Sequence, residues 1–192
     1  MNEKRFPASQ AQRLEDPERL VWLPPTAALA ALALKSGQTV ADVGAGTGYF
    51  AIPLAQTVGS NGVVYAVDAQ EKMLEWISAK MVKEGLKNIV LVHAEASATT
   101  LPSATCDLYL TANVWHELDD REAVLLEAKR VLKSTGRIAI LDWRPDVERI
   151  AGPPIDHRIA SADVQTELNQ SGFSNVESTN IGLYSWLVQA DR

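Results

Sequence analysis

A glycine-rich run and two aspartates are the groups of this chain best suited to bind a cofactor. Residues 41–49 read ADVGAGTGY, and Asp68 comes 26 residues after Asp42. Glycines permit a tight turn and let the backbone approach a ligand closely. A carboxylate at the end of the next strand accepts hydrogen bonds from ribose hydroxyls. The pairing predicts a nucleoside-bearing cofactor, although Asp68 is also suited to cap the helix that follows it.

The same turn disfavours a diphosphate ligand. Nicotinamide-binding turns follow G-x-G-x-x-G, in which the last position is small and the pyrophosphate sits on the helix N-terminus. Here the third glycine comes one residue early and Tyr49 stands at the small position. The charge of Asp42 near the turn is unfavourable beside a pyrophosphate and favourable beside an ammonium group. A zwitterionic ligand is therefore preferred, and a nicotinamide-dependent reductase is the disfavoured alternative.

His116 is the predicted catalytic base, because it follows the predicted fourth strand and an imidazole titrates near neutral pH. A histidine that bonds backbone groups at a helix start is the alternative. Ligands of open α/β sheets sit beyond the carboxyl ends of the strands, which directs attention to Asp142 and Trp143 as well. Asp142 either orients a partner or caps a turn, and Trp22 either covers the cofactor or packs.

Short apolar runs alternate with helical patterns, which indicates a doubly wound, mostly parallel α/β sheet with helices on both faces. Strands are predicted at 38–43, 62–67, 88–93, 107–111 and 137–142. Helices are predicted at 24–35, 70–84, 119–133 and 161–171, with Asp119 as the N-cap of the third and Gly136 following its end. Two last runs, at 173–178 and 183–189, predict an antiparallel C-terminal hairpin.

Five stretches of the chain, taken in order, resemble the motifs of one family. They read ADVGAGTGYF, VVYAVDAQ, LVHAEASATTLP, CDLYLTANVWHEL and RVLKSTGRIAILDW. The set resembles class I S-adenosylmethionine (SAM)-dependent methyltransferases, in particular the short UbiE-like (methyltransferase type 11) subgroup, over roughly residues 35–190. The resemblance implies a seven-stranded Rossmann-like fold. It also implies in-line transfer of a methyl group from SAM to a small-molecule acceptor, with S-adenosylhomocysteine as the product.

The resemblance also implies a set of cofactor-binding residues. Those implied to contact ribose and methionine are Asp42, Gly44, Ala45, Gly46, Thr47, Gly48, Asp68 and Asn113. Those implied to contact adenine are Ala69, Met73, Glu95 and Ala96. Within this set Asp42 would hold the amino group and Asp68 the ribose hydroxyls. The family's usual Gly-Asp-Ala step reads Ala-Glu-Ala at 94–96, so the adenine contacts depart from the pattern.

Length and composition predict a single domain over residues 1–192. Within it, residues 1–36 are expected to form a helical segment and candidate lid, and the resemblance implies that residues 37–192 form the SAM-binding core. The net charge of −6 is the wrong sign for binding nucleic acid. The apolar stretch at 26–34 is too short to cross a bilayer, and the charged start predicts no signal peptide, so a cytoplasmic location without membrane partners is expected. The lone cysteine, Cys106, excludes a thiolate-built metal site, and no metal is predicted.

Two questions stay open in the sequence. A non-catalytic SAM-binding or interaction module is an alternative to the enzyme, because binding and turnover use different residues. The sequence does not distinguish a monomer from a homodimer, nor does it name the acceptor. The dependence of arsenite methyltransferases on several cysteines separates this chain, which has one, from that branch.

Overall fold

The structure is a computed structural model that describes residues 5–148 and 152–192 of the chain. Its strands are β1 (Thr39–Val43), β2 (Val63–Asp68), β3 (Ile89–His93), β4 (Cys106–Ala112), β5 (Leu132–Trp143), β6 (Ser174–Ile181) and β7 (Ser185–Asp191). They form one sheet in the order β3-β2-β1-β4-β5-β7-β6. Only β7 among these strands runs against the others, because it pairs antiparallel with both β5 and β6. The predicted fold, including the terminal hairpin, is confirmed.

Helices cover both faces of this sheet. They are α1 (Arg19–Trp22), α2 (Pro25–Leu32), α3 (Ala51–Val58), α4 (Glu71–Glu84), α5 (Arg121–Val131) and α6 (Ser161–Gln170). Neighbouring residues of β1 enter opposite cores: Val40 packs with the cluster that holds α3 and α4, whereas Ala41 packs with the cluster that holds α5 and α6. This double burial explains the nearly continuous apolar runs of the central strands.

The junction of α5 and β5 differs from the prediction. The helix ends at Val131, and Leu132 takes an extended conformation and pairs with Cys106, so the strand follows without a loop. Gly136 therefore lies inside β5 and does not end the helix. The predicted N-cap is also wrong by one residue, since Asp120 accepts the hydrogen bond from the Ala123 N–H at 2.9 Å.

The N-terminal segment is helical in three short pieces, a 3₁₀ helix at Ala8–Glu15 followed by α1 and α2. Residues 1–4 of the predicted candidate lid lie outside the described residues. Within residues 5–148 and 152–192, none of the helices has the length and apolar character needed to cross a membrane.

Candidate active site

A cavity of about 790 Å³ opens beyond the carboxyl ends of β1, β2, β4 and β5. The chain runs from β1 outward to β2 and β3 and then returns to β4 on the other side of β1. Such a reversal of strand order leaves a crevice where ligands of open α/β sheets bind. The volume is suited to a cofactor and a small second ligand.

The glycine-rich turn forms the floor of this cavity. Gly44, Gly46 and Gly48 all have positive φ angles, of +74°, +53° and +86°. The Gly44 N–H donates to the Val67 carbonyl of β2 at 2.8 Å, which fixes the turn between the two strands. A side chain on Gly44 would collide with Val114, so both backbone conformation and space require glycine here. Ala45 and Thr47 line the cavity with Gly44 and Gly46, whereas Gly48 is not part of the lining and lies against Ile77 of α4. These turn residues stay predicted cofactor contacts.

Asp68 ties the turn to the end of β2. Its Oδ2 accepts a hydrogen bond from the Gly46 N–H at 2.8 Å, and its Oδ1 accepts one from the Gln70 N–H at 2.9 Å. The alternative role as a helix cap does not hold, because Gln70 occupies the N-cap position of α4. Burial raises the pKa of Asp68, and its carboxylate lines the cavity, where it stays the predicted ribose ligand.

Four buried polar atoms of cavity-lining residues lack hydrogen-bond partners within the part of the chain that the structure describes. They are Nε of Arg19, Oδ2 of Asp42, Oγ1 of Thr47 and Oδ1 of Asn113. Asp42 is only 2 % exposed, and burial, together with the charge of Asp68, raises its pKa to about 7. Because buried polar groups are almost always satisfied, a polar ligand is the natural partner for these atoms.

The predicted adenine contacts lie together at one end of the cavity. Ala69, Met73, Glu95 and Ala96 all line it. Tyr109 donates its hydroxyl hydrogen to the Ala96 carbonyl at 3.0 Å, which anchors the loop after β3. The Glu95 carboxylate is half-exposed and forms an ion pair with Arg5 at 2.7 Å. The sequence did not predict this arginine, so the N-terminal segment engages the group that was expected to face adenine.

His116, which lines the cavity after β4, forms a buried pair with Asp142 of β5. Nδ1 of His116 lies 2.8 Å from Oδ1 of Asp142, and the two residues are 7 % and 1 % exposed. The His116 backbone N–H also donates to Oδ2 of Asp142 at 3.1 Å. A carboxylate only accepts, so Nδ1 carries the hydrogen and Nε2 is the free basic atom of the neutral ring. Asp142 therefore orients a partner, the first of the two roles that the sequence left open.

The charges around His116 favour its protonated form. Burial alone would lower the pKa of His116, but the charge of Asp142 and the hydrogen bond to it outweigh burial and raise the pKa above 6.5. Glu117 lies beside it, with Oε1 3.9 Å from Nε2 of His116. Burial raises the pKa of Glu117 to about 7, and its Oε2 accepts the Phe6 N–H at 3.1 Å.

Aromatic side chains wall the cavity next to the His116–Asp142 pair. The rings of Trp22 and Trp143 lie with their centroids 4.7 Å apart. Both line the cavity, together with Pro153 and Pro154. A Cβ on Gly152 would lie 2.9 Å from Trp143, so the loop passes directly against the indole. Aromatic rings and prolines thus form an apolar part of the cavity wall.

The N-terminal segment roofs the cavity. The Ala8 N–H donates to Oε1 of Gln70 at 2.9 Å, and Nε2 of the same glutamine donates to the Phe6 carbonyl. Farther along, Tyr49 donates its hydroxyl hydrogen to the Leu23 carbonyl at 2.6 Å. Tyr49, which occupies the small position of a nicotinamide-binding turn, therefore fastens the roof to the glycine-rich turn.

No group of three or more His, Cys, Asp or Glu side chains is arranged to hold a metal ion in residues 5–148 and 152–192. The acids of the cavity instead have backbone N–H groups, an arginine or a histidine as their identified partners.

Comparison with known proteins gives one family for this chain. Residues 41–140 match the family described as Methyltransferase domain (Methyltransf_11). The chain is 30 % identical over 120 residues to the ubiquinone/menaquinone biosynthesis C-methyltransferase UbiE of Marinomonas sp. strain MWYL1, which covers 62 % of this chain and 48 % of that protein. It is 33 % identical over 109 residues to the demethylmenaquinone methyltransferase of Geobacillus kaustophilus, which covers 57 % of this chain and 47 % of that protein. The chain thus spans about half the length of these relatives.

A solved structure matches nearly the whole chain. The SAM-dependent methyltransferase from Aquifex aeolicus superposes with a TM-score of 0.91 at 36 % sequence identity, and the match covers 97 % of this chain and 98 % of that one. The agreement includes the N-terminal segment and the terminal hairpin, since so little of either chain lies outside the match.

Proposed function

The chain belongs to the methyltransferase-domain family matched at residues 41–140, and from this premise we propose that it transfers a methyl group from SAM to a small aromatic acceptor bearing a hydroxyl. The predicted UbiE-like membership, the Rossmann-like sheet and SAM as the cofactor are confirmed by the family match, by the relatives and by the Aquifex aeolicus structure. The class of the acceptor and the role of each residue belong to the proposal.

The observation that carries the proposal is the buried pair of His116 and Asp142 beside a cavity with an aromatic wall. A hydroxyl on an aromatic ring is a weak nucleophile until it loses its proton, and a positioned histidine accelerates such a step about 10²- to 10⁴-fold. The Trp22–Trp143 wall supplies a surface against which a planar ring packs.

The two relatives support the same class of acceptor. Their names assign them to ubiquinone and menaquinone biosynthesis and to demethylmenaquinone. A quinol has the two features that the proposed site requires. Its flat apolar ring packs against the Trp22–Trp143 wall, and its hydroxyl is ionised by His116. We therefore place quinols and substituted phenols first among the acceptors to test.

SAM, when bound, supplies the methyl group of its sulfonium, which a nucleophile attacks in line with the bond to the departing sulfur. Asp42, Thr47 and Asn113 offer their unpartnered oxygens to its amino-acid end, and Asp68 offers its carboxylate to the ribose hydroxyls. Such fixed contacts hold the reacting groups in one geometry, which removes much of the entropic barrier.

His116 and Asp142 then handle the proton. Asp142 keeps hydrogen on Nδ1, and Nε2 takes the proton from the acceptor hydroxyl as the methyl group moves to the activated oxygen or to the conjugated ring carbon. After transfer to carbon, that carbon loses its hydrogen as a proton to water, and the oxygen regains a proton as the aromatic ring is restored. The resulting imidazolium is stabilised by the adjacent carboxylate, and its proton leaves to water after the product departs. Trp22 and Trp143 exclude water from the reacting groups while this happens.

The same pair disfavours a non-catalytic binding module. Burying two ionisable side chains in contact costs desolvation free energy that their attraction repays only in part. A module that merely binds the cofactor has no use for a histidine in the cavity lining that is oriented by a buried carboxylate. A catalytic role would account for the burial of His116 and Asp142 beside the cavity despite its desolvation cost.

The test measures transfer of labelled methyl from SAM to a panel of phenols and quinols. The wild-type protein labels at least one of them, whereas His116→Gln reduces the rate at least 100-fold and binds S-adenosylhomocysteine within about twofold of the wild-type affinity. Binding of SAM without labelling of any acceptor, or full activity of His116→Gln, would overturn the proposal.

A further inference from the structure

Arg19, in the short helix α1, is a buried cation. Its side chain is only 8 % exposed, and burial lowers its pKa to about 10. Nη1 donates to the Leu14 carbonyl at 3.3 Å, and Nε has no hydrogen-bond partner within the described ranges. None of the ion pairs formed between described residues includes this arginine.

The surrounding contacts fix the guanidinium in place without neutralising it. Its Cζ lies 3.9 Å from the centre of the Tyr49 ring, and Tyr49 itself is held by its hydrogen bond to Leu23. A cation over an aromatic face is stabilised, but only by a fraction of what removal from water costs. Arg19 is therefore suited to bind an anion, and the ring of Tyr49, which directly follows the last glycine of the turn, holds its guanidinium in position.

Arg19 and Asp42 line the same cavity with opposite charge. They are close enough for each charge to shift the pKa of the other toward its ionised form, yet they form no ion pair. Each keeps an unpartnered buried atom, Nε in the arginine and Oδ2 in the aspartate, counted over the residues that the structure describes. A buried guanidinium and a buried carboxyl group held apart in one cavity complement a ligand that carries a carboxylate and an ammonium on one carbon atom.

We propose that Arg19 binds the α-carboxylate of the methionine moiety of SAM, while Asp42 binds the α-amino group. The inference rests on the proposed function, since it needs SAM in this cavity. Guanidinium groups bind carboxylates through two parallel hydrogen bonds, a geometry that the compact ammonium of lysine does not reproduce. Because Arg19 belongs to the roof and Asp42 to β1, the amino-acid end of the cofactor joins the N-terminal segment to the sheet.

The test compares two ligands that differ only in the carboxylate. SAM and decarboxylated SAM share the sulfonium, the amino group and the adenosine, so their difference in affinity isolates the proposed contact. Isothermal titration calorimetry of Arg19→Gln is expected to show SAM binding weakened about 10- to 100-fold and decarboxylated SAM binding changed less than about threefold.

Two further variants separate binding from structure. Arg192→Gln changes an exposed arginine outside the cavity lining and is expected to leave both affinities unchanged. Arg19→Lys keeps the charge and is expected to recover part of the affinity for SAM only.

Equal weakening of both ligands in Arg19→Gln would show that Arg19 only supports the roof, and would overturn the inference. Unchanged binding of SAM in that variant would overturn it as well. A wild-type protein that binds neither ligand would instead refute the proposed function on which the inference rests.

Discussion

At the carboxyl end of β5, the Asp142 carboxylate determines which nitrogen of His116 is able to accept a proton. Its contact with Nδ1 at 2.8 Å leaves Nε2 free, and its charge raises the pKa of the imidazole above 6.5 despite burial. A base with a raised pKa is protonated, and therefore inactive, over a wider range of acidic pH. The turnover of this protein is accordingly expected to fall as the pH drops through that raised pKa.

Asp142→Asn tests this coupling through the pH profile. Without the carboxylate charge, burial and the charge of Arg158 act against the remaining attraction of Glu117, so the pKa of His116 falls and the acidic limb of kcat/KM moves to lower pH. The plateau also falls, by about 100-fold or more, because an amide no longer stabilises the imidazolium. Measurement from pH 5 to 9 gives both quantities.

Asp146→Asn is the matched control, since this exposed carboxylate lies near in sequence and pairs with Arg144 at 2.6 Å. Its acidic limb is expected to coincide with that of the wild-type protein. An unshifted limb in Asp142→Asn would mean that another group controls the profile, with Glu117, whose pKa is raised to about 7, as the next residue to replace.

Residue type and position together predicted a function for Asp68, which directly follows the second predicted strand, and for His116, which follows the fourth. The role of Asp142 was not predictable, since its contact with His116 joins residues 26 positions apart and depends on how β4 and β5 are aligned. Arg19 carried no motif at all. Its significance follows from burial without an ion pair among the described residues, which a sequence does not reveal.

Among the elements, the α5–β5 junction shows where local sequence signals mislead. A glycine after an amphipathic run is a usual helix end, and Gly136 follows such a run. The helix nevertheless stops at Val131, because Leu132 gains a partner in Cys106 of β4 and a buried position in the core. By contrast, Gly85 does end α4, at φ +66°, as its position after the Met73–Ile77–Met81 stripe predicts.

Gly136→Ala tests the strand assignment. A Cβ at this position would lie 2.9 Å from the Cys106 carbonyl oxygen and 3.0 Å from that of Lys133, so the backbone must shift. We expect the free energy of unfolding, measured in urea, to fall by about 1–3 kcal/mol.

Thr135→Ala changes the exposed neighbour in the same strand and is expected to alter the free energy of unfolding by less than about 0.5 kcal/mol. Equal, negligible effects of both substitutions would indicate that residue 136 lies in an open loop, as the sequence pattern suggested.

At the scale of the whole molecule, the cavity lies between the sheet and the N-terminal segment. Contacts from this segment reach residues as far along the chain as Glu117, which accepts the Phe6 N–H, and Glu95, which pairs with Arg5. The order of strands and helices was predictable, because each follows from local periodicity and the motifs occur in the family's order. The roof was predicted only as a candidate lid, because the contacts that close it join residues up to 111 positions apart.

We expect cofactor binding to depend on Asp68, the acid that joins the glycine-rich turn to β2. Asp68→Ala removes the predicted ribose ligand and the acceptor of the Gly46 N–H together. Glu75→Ala is the matched control, since it removes an exposed carboxylate from α4 outside the cavity lining.

Calorimetric titration of these proteins with S-adenosylhomocysteine measures the central claim most directly. The wild-type protein and Glu75→Ala are expected to bind with micromolar dissociation constants, and Asp68→Ala at least tenfold more weakly, a loss of about 1.4 kcal/mol or more. Equal affinity of Asp68→Ala and the wild-type protein would contradict the assignment of this cavity to the cofactor.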